Sequence, residues 1–252
     1  MKLKFIAFIL LISIDGVSKE TPSLFHFKIL NKTLLTENEK TELNSFLSFF
    51  LKELKNKIDL HSKENELEIS LGTIPCFDQS KKNDCFPSER SGYFYPGTPK
   101  KIYIKYPRKN FNTLFTDIIH ETQHWFHYQF APDSKWEVQE GLSLWWEFIF
   151  FKNWNSSNIQ AIFNSWNSEN FWNFEKKERA DYGKLYLVFQ NLFSKKIEDQ
   201  KLFLNRIYKI PLLSLEEIFK EAQTSKSEIL TDLEKDLKPL LNFRKGLPIS
   251  SP

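Results

Sequence analysis

The chain has 252 residues, of which 41% are hydrophobic, and 35 basic against 32 acidic side chains give a net charge of +3. This length accommodates one sizeable core, and the apolar fraction is that of an ordinary globular protein. Because the charges are interspersed and form no long basic run, the composition does not indicate a nucleic-acid partner.

The N-terminal segment MKLKFIAFILLISIDGVSKE has the features of a secretory signal peptide. Two lysines precede the apolar run Phe5–Ile14, and Gly16 and Ser18 are the small residues that suit a cleavage site. The alternative is a retained anchor, although a membrane helix needs about 20 apolar residues. We predict a signal peptide over 1–18, one domain over 19–252, and a secreted, periplasmic or cell-envelope location without a further membrane span.

The two cysteines, Cys76 and Cys85, lie in the polar segment IPCFDQSKKNDCF. An even cysteine count in an exported chain predicts a local disulfide between them. The alternative is two unrelated free thiols. The CxxC spacing of a cysteine zinc site is absent.

Strand patterns are confined to the first part of the chain, at Leu24–Leu30, Leu67–Leu71 and Lys101–Tyr106. The capping box Thr36–Glu39 begins a helix that runs to about Ile58. Helical patterns dominate afterwards: 112–130, a helix opened by a capping box at Ser134–Glu137 and reaching Lys152, Arg179–Phe193, one opened by Ser214–Glu217, and Ser227–Leu241. The predicted fold class is α+β, with a short mixed sheet and a helix over 19–110 and a mainly helical part over 111–252.

The stretch DIIHETQHWFH contains three of the five histidines of the chain. On a helix, His120 and His124 lie one turn apart on one face, where two imidazoles reach a single zinc ion. Glu121 lies beside them, as the base that removes a proton from a water needs to. The alternative is an amphipathic helix with solvated polar residues.

Such a zinc site requires a third protein ligand. The turn at Ala131–Asp133 lets the next helix fold back across the first, which brings Glu140 level with His120 and His124. Gly141 then suggests a close approach of the two helix backbones at the metal. The other candidates are expected to have different roles: His127 as a bystander or a partner of a ligand, Glu137 in the capping box, and Glu147 as a group that orients a ligand histidine.

HETQHWFH followed by WEVQEGLSLWWE resembles the gluzincin metallopeptidases, a peptidase MA-like family that includes thermolysin and the zinc aminopeptidases. The resemblance implies a zincin-like fold, one zinc ion held by His120, His124 and Glu140, and Glu121 as the base. The spacer 125–139 is slightly shorter than that of the aminopeptidases.

The segment ADYGKLY is similar to the one from which aminopeptidase-type relatives supply a tyrosine to the oxyanion. The resemblance implies that Tyr182 has this role, with Tyr186 as the alternative; either tyrosine also suits simple packing in a helix bundle. It also implies that the strand KKIYIKYP is the edge of the sheet, where an extended peptide pairs. Because a GxMEN-like segment is absent, aminopeptidase action is not expected.

All seven tryptophans fall between residues 125 and 172, and core packing is the expected role for most of them. The favoured hypothesis is an exported zinc peptidase acting on a peptide or protein. The alternative is a non-catalytic exported binding protein with a peptidase-like fold. A di-iron helix bundle would need a second ExxH, which the remaining histidines do not supply.

Overall fold

The computed structural model describes residues 25–58, 62–75, 91–98, 100–151, 170–174 and 179–245. Within these ranges the chain is α+β, with four strands in one small mixed sheet and seven helices. The predicted signal peptide and the predicted Cys76–Cys85 disulfide lie outside the described residues. No helix in the described ranges is both long enough and apolar enough to cross a bilayer.

The coarse order of the elements matches the prediction, with strands and one helix preceding a helical part, although the strand Gly92–Tyr95 and the helix Gln200–Ile207 were not predicted. The strands are β1 His26–Leu30, β2 Glu66–Gly72, β3 Gly92–Tyr95 and β4 Lys101–Lys105. The helices are α1 Glu37–Lys57, α2 Asn112–Phe130, α3 Trp136–Phe151, α4 Arg179–Asn191, α5 Gln200–Ile207, α6 Leu215–Glu221 and α7 Lys226–Lys245. A π-helical turn, Leu192–Lys196, follows α4.

The edge of the sheet differs from the prediction. The strand order is β1-β2-β4-β3, in which β1, β2 and β4 are parallel and β3 is antiparallel to β4. The prediction that KKIYIKYP forms the edge strand was therefore wrong, because β4 lies between β2 and β3. The short aromatic strand GYFY, which lacks an alternating pattern, occupies the edge instead.

One face of the sheet is covered by helices and the other carries charge. Leu67, Ile69, Ile102 and Ile104 are buried on the covered face. Gly92 belongs to the same face because it pairs with Ile104. On the opposite face, Lys28 and Lys101 lie 2.7 and 3.4 Å from the carboxylate oxygens of Glu68. The sheet is thus half-buried, as an alternating pattern requires.

Helix α1 begins at the predicted capping box. The Glu39 backbone N–H donates to Thr36 Oγ1 at 3.3 Å, and the Thr36 N–H donates to Glu39 Oε2 at 2.8 Å. The buried residues Leu43, Leu47, Phe50 and Leu54 form one face at helical spacing. Phe46 stacks on Phe115 with ring centroids 4.3 Å apart, which joins α1 to α2.

Helix α3 does not begin at the predicted capping box. Its first residue is Trp136, and the Ser134 hydroxyl donates to the Ala131 carbonyl at 2.7 Å and lies 2.8 Å from His127 Nε2. The assignment of Glu137 to a capping box with Ser134 was therefore wrong. Bonds within the turn and to α2 have replaced the local cap.

Gly141 has a different neighbour from the one predicted. We expected close approach of the α2 and α3 backbones, but the atom nearest to a Cβ at this position would be Phe189 Cε2 on α4, at 2.1 Å. No side chain fits there without displacing that ring. The absence of a side chain at Gly141 therefore lets a ring of α4 contact α3. Helix α4 also carries Tyr182, which lines a cleft together with His120 and Glu121.

Most of the described tryptophans pack in the core, as predicted. Trp125, Trp145 and Trp146 are buried, and Trp145 stacks on Phe193 with ring centroids 3.8 Å apart. Trp136 is half-buried and meets Tyr182 edge to face at 5.4 Å. Trp136 thus faces a cleft beside the HETQH helix.

Candidate metal centre

Helix α2 presents His120 and His124 toward the same point. The two residues lie one helical turn apart, and their Nε2 atoms are 3.1 Å apart. Their side chains are only 16% and 14% exposed. Two nitrogen donors therefore converge in a site that is largely shielded from solvent.

Glu140 on α3 completes a group of three candidate ligands. Its Oε2 lies 3.2 Å from His120 Nε2, and its Oε1 lies 3.7 Å from His124 Nε2. One ligand atom from each of the three residues lies within 4.8 Å of the others. The structure thus brings together all three of the predicted metal ligands.

The spacing of these donor atoms fits zinc. In a tetrahedral site with zinc–ligand distances of about 2.0–2.1 Å, neighbouring ligand atoms are about 3.3 Å apart. The two imidazole nitrogens are 3.1 Å apart, and the two Glu140 oxygens lie 3.2 Å from His120 Nε2 and 3.7 Å from His124 Nε2, respectively, which is close to that value. Two imidazoles and one carboxylate are also a donor set that zinc accepts, with the fourth position left for water or substrate.

A second carboxylate orients His120. Glu147, two turns beyond Glu140 on α3, places Oε1 2.6 Å from His120 Nδ1. This is the contact that the sequence predicted for it. A hydrogen bond at Nδ1 fixes the ring and leaves the Nε2 lone pair directed toward the cluster, as metal-binding histidines require.

Burial and the two carboxylates set the protonation of this cluster. Burial lowers the pKa of His120, but its hydrogen bonds to Glu140 and Glu147 outweigh burial and raise that pKa well above the usual value. For the carboxyl of Glu147, burial raises the pKa. A positive charge is therefore favoured between the histidines and the glutamates, whether a proton or a metal ion supplies it.

Glu121 lies next to this cluster and against the edge strand of the sheet. Burial raises the pKa of its carboxyl to about 8, while a hydrogen bond from the Phe94 backbone opposes the shift. A Cβ on Gly92 would lie 2.8 Å from Glu121 Oε1. The lack of a side chain at residue 92 is thus what leaves room for this carboxylate.

The cluster opens into a cleft of about 840 Å³, a volume typical of ligand pockets. Strand β3 and helices α2, α3 and α4 line it. The lining side chains beyond the cluster are aromatic and polar, among them Tyr93, Phe94, Tyr128, Trp136, Gln139 and Arg179. The cleft thus offers both aromatic and polar contacts beside the candidate metal site.

The two candidate oxyanion tyrosines have different surroundings. Tyr182 is half-buried and lines the cleft with His120, Glu121 and Glu140. Tyr186 is buried, and its ring packs edge to face with Phe148 at 6.1 Å. Burial and the nearby Glu147 raise the pKa of Tyr186. The geometry therefore favours Tyr182 as the tyrosine that faces a substrate.

His127 is not a solvated residue of α2. It is 1% exposed, and its Nδ1 and Nε2 lie 3.2 Å from Gln123 Nε2 and 2.8 Å from Ser134 Oγ. Burial lowers the pKa of His127 to about 3, so the ring is neutral. This position agrees with the expectation that His127 is not itself a ligand, and it is wrong for a bystander on the solvent-facing side of the helix.

Three residues of the site were missed in the sequence. Gly92 makes room for Glu121, Ser143 lies 3.4 Å from His124 Nδ1, and Arg179 lines the cleft. Ser143 follows Glu140 by three residues, so helical spacing alone places both on the same face of α3. This neighbour of His124 was therefore detectable in the sequence. The other two depend on strand pairing and helix packing, which local patterns do not specify.

Comparison with known proteins gives no family for this chain. No protein-family model matches the sequence, and no curated protein matches it. The residues that line the cleft are therefore the basis for a proposed function.

The buried carboxyl of Glu121 predicts a pH dependence of stability. Its pKa rises from 4.5 to about 8 on folding, so the folded chain binds more protons and its free energy of unfolding falls as pH rises across this interval. His127 has the opposite effect on stability, because burial lowers its pKa from 6.5 to about 3. This effect is confined to pH values below 6.5. Between pH 6.5 and 8, the metal-free protein should lose up to about 1.4 kcal/mol per pH unit from this group.

Urea denaturation in the presence of a chelator, repeated across this pH range, measures the effect. Glu121→Gln should reduce the slope, with a remainder from His120, whose raised pKa acts in the same direction. Glu137→Gln, a matched carboxylate change at the start of α3, should keep the wild-type slope. A Glu121→Gln slope equal to that of the wild type would contradict the account.

Gly92→Ala should destabilise the protein, because the new Cβ would clash with the Glu121 carboxylate. Overpacking of this kind costs about 1–3 kcal/mol. Ser91→Ala is the matched control, since Ser91 is exposed and uses its backbone carbonyl to accept the Lys105 N–H. Its cost should stay within about 0.5 kcal/mol. Equal stabilities of the two variants in denaturant titrations would refute the steric argument.

Proposed function

We propose that this protein is a zinc-dependent peptidase with a zincin-like fold, of the gluzincin type. The observation that carries the proposal is the convergence of His120, His124 and Glu140 on one point in a cleft that also contains Glu121. Each of the four residues has the chemical character that hydrolysis of a peptide bond by an activated water requires.

The three ligand atoms are suited to hold one zinc ion. A zinc ion bound in this way polarises a carbonyl group and makes water acidic enough to lose a proton near neutral pH. Glu147 supports this arrangement because its contact with Nδ1 fixes His120. The positive charge favoured inside the cluster is then supplied by the metal.

Glu121 is the proposed base. Its carboxyl is buried and has a pKa raised to about 8, close to the range in which a base exchanges protons at neutral pH. A nearby divalent cation favours the ionised form of the carboxyl. Glu121 then accepts a proton from the attacking water and can return it to the leaving amine.

Tyr182 is the proposed donor to the oxyanion. Its position in the wall of the cleft that also contains His120 and Glu121 suits a phenol that donates to the oxygen on which negative charge develops. The contact of its ring with Trp136, at 5.4 Å between centroids, restrains its orientation.

The proposed substrate is an extended peptide or protein segment. Strand β3 is at the edge of the described sheet and forms one wall of the cleft, a position that suits an extended segment lying alongside it. The aromatic side chains of the cleft offer apolar contacts. Together with the signal-peptide pattern of residues 1–18, this leads us to propose hydrolysis outside the cytoplasm.

Glu121→Gln tests the mechanism. The variant should keep stoichiometric zinc and lose about 10²–10⁴-fold in the rate of peptide hydrolysis, because an amide cannot accept the proton. His120→Ala should lose zinc and activity together. Zinc is measured by elemental analysis after dialysis, and hydrolysis with a fluorogenic peptide library.

Full activity of Glu121→Gln would overturn the mechanism. Stoichiometric zinc in the wild type, without cleavage of any peptide in the library, would instead favour the non-catalytic exported binding protein. Glu137→Gln controls for the loss of a carboxylate near the start of α3 and should be as active as the wild type.

Tyr182→Phe and Tyr186→Phe form a matched pair that tests the assignment of the oxyanion donor. Removing the hydroxyl that faces the cleft should lower kcat by about 10²–10³-fold, the usual loss for one oxyanion donor. The same change at the buried Tyr186 should affect stability and leave kcat within a factor of about three. A larger loss of kcat in Tyr186→Phe than in Tyr182→Phe would reverse the assignment.

A further inference from the structure

A chain of buried hydrogen bonds lies behind the candidate ligand His124. It consists of Ser134, His127, Gln123 and Ser143, all with exposures of 7% or less. At one end Ser134 contacts the backbone carbonyl of Ala131, and at the other Ser143 lies 3.4 Å from His124 Nδ1. None of these four residues is a candidate metal ligand. Together they connect the turn at Ala131 to the ring of the candidate ligand His124.

A backbone carbonyl at the Ser134 end of this chain of hydrogen bonds determines which atom donates in each bond. Ala131 O has no proton to offer, so at 2.7 Å the Ser134 hydroxyl must donate its single proton to it. Ser134 Oγ is then an acceptor toward His127 Nε2, which lies 2.8 Å away. His127 therefore has its proton on Nε2.

A neutral histidine with a proton on Nε2 has an acceptor at Nδ1. Burial lowers the pKa of His127 to about 3, which keeps the ring neutral. Gln123 must then present its amide NH₂ group to Nδ1, as it does at 3.2 Å, with a second bond from the same group to Tyr208 OH at 3.1 Å. The amide oxygen of Gln123 consequently faces the other way.

That oxygen accepts the hydroxyl proton of Ser143, since Ser143 Oγ lies 2.6 Å from Gln123 Oε1. With its only proton used, Ser143 Oγ can act toward His124 Nδ1 only as an acceptor, at 3.4 Å. His124 therefore has its proton on Nδ1, and its Nε2 lone pair is directed toward His120 and Glu140.

The opposite direction would be incompatible with a metal ligand. If the Gln123 amide were reversed, its NH₂ group would donate to Ser143, and Ser143 would donate to His124 Nδ1. The proton of His124 would then sit on Nε2, the atom 3.7 Å from Glu140 Oε1. A neutral imidazole binds a metal only through its unprotonated nitrogen.

We infer that Ser134, His127, Gln123 and Ser143 are positioning residues that fix the tautomer of His124, with the Ala131 carbonyl setting the direction of the whole chain. The third histidine of HETQHWFH thus serves the metal site without contacting the metal. The functional meaning of this arrangement rests on the proposed zinc site. The tautomers themselves are a property of the metal-free protein.

Nuclear magnetic resonance of the metal-free protein tests the inference directly. Long-range ¹H–¹⁵N spectra of a sample with ¹⁵N-labelled histidine distinguish the two tautomers of each neutral ring. The expected result is the Nε2-protonated form for His127 and the Nδ1-protonated form for His124. A proton on Nδ1 of His127, or on Nε2 of a neutral His124, would overturn the inference.

Ser134→Ala provides a second test, because it removes the start of the chain without touching His124. His124 should lose its single tautomer, and zinc binding, measured by competition with a chelator, should weaken about tenfold, as for other residues that orient ligands. Ser48→Ala, on the exposed face of α1, is the control and should change neither. An unchanged His124 tautomer in folded Ser134→Ala would refute the connection.

These results separate the inference from the proposed function. If the wild type has the expected tautomers but binds no zinc, the hydrogen-bond chain stands and the proposed zinc peptidase fails. If zinc binds stoichiometrically while the tautomers are reversed, the zinc site stands and the positioning role fails.

Discussion

The packing of α3 across α2 is the constraint on which the candidate site depends. It places Glu140 and Glu147 on both sides of the His120 ring, with carboxylate oxygens 3.2 Å from Nε2 and 2.6 Å from Nδ1. Two carboxylates buried beside a pair of imidazoles are costly unless positive charge accompanies them. The helix pair therefore creates a site whose own electrostatics favour a cation.

The sheet and α4 matter because they form the other walls of the cleft. The edge strand β3 approaches α2 closely enough for Gly92 to border Glu121, and Gly141 lets Phe189 bring α4 against α3. Both positions matter because glycine has no side chain. Gly92 leaves room beside the proposed base, and Gly141 leaves room beside the helix that provides Tyr182. The small sheet thus helps to position the proposed base and also covers the hydrophobic core.

Much of this arrangement follows from local sequence patterns. The helical spacing of His120 and His124, the turn before α3 and the capping box at Thr36 each depend on residues close in the chain, and each is present in the structure. The same spacing explains why Glu140 and Glu147 face one side of α3.

The predictions that were wrong concern features that depend on contacts between segments distant in the sequence. The edge position of β3 depends on which strand pairs with β4, and a glycine followed by three aromatic residues without alternation gives no local signal for it. Ser134 satisfies a capping pattern, yet its hydroxyl bonds to the Ala131 carbonyl and to His127. Gly141 was correctly singled out as a close-approach position, but the approaching ring comes from a helix that is remote in sequence.

The central claim is that α2 and α3 hold a zinc ion with two imidazole nitrogens and one carboxylate. Anomalous diffraction at the zinc edge, from crystals of the protein grown with zinc, tests it most directly. The account predicts one strong peak about 2.0–2.2 Å from His120 Nε2, His124 Nε2 and a Glu140 carboxylate oxygen. A zinc peak bound by other residues, or no peak in this cleft at saturating zinc, would contradict it.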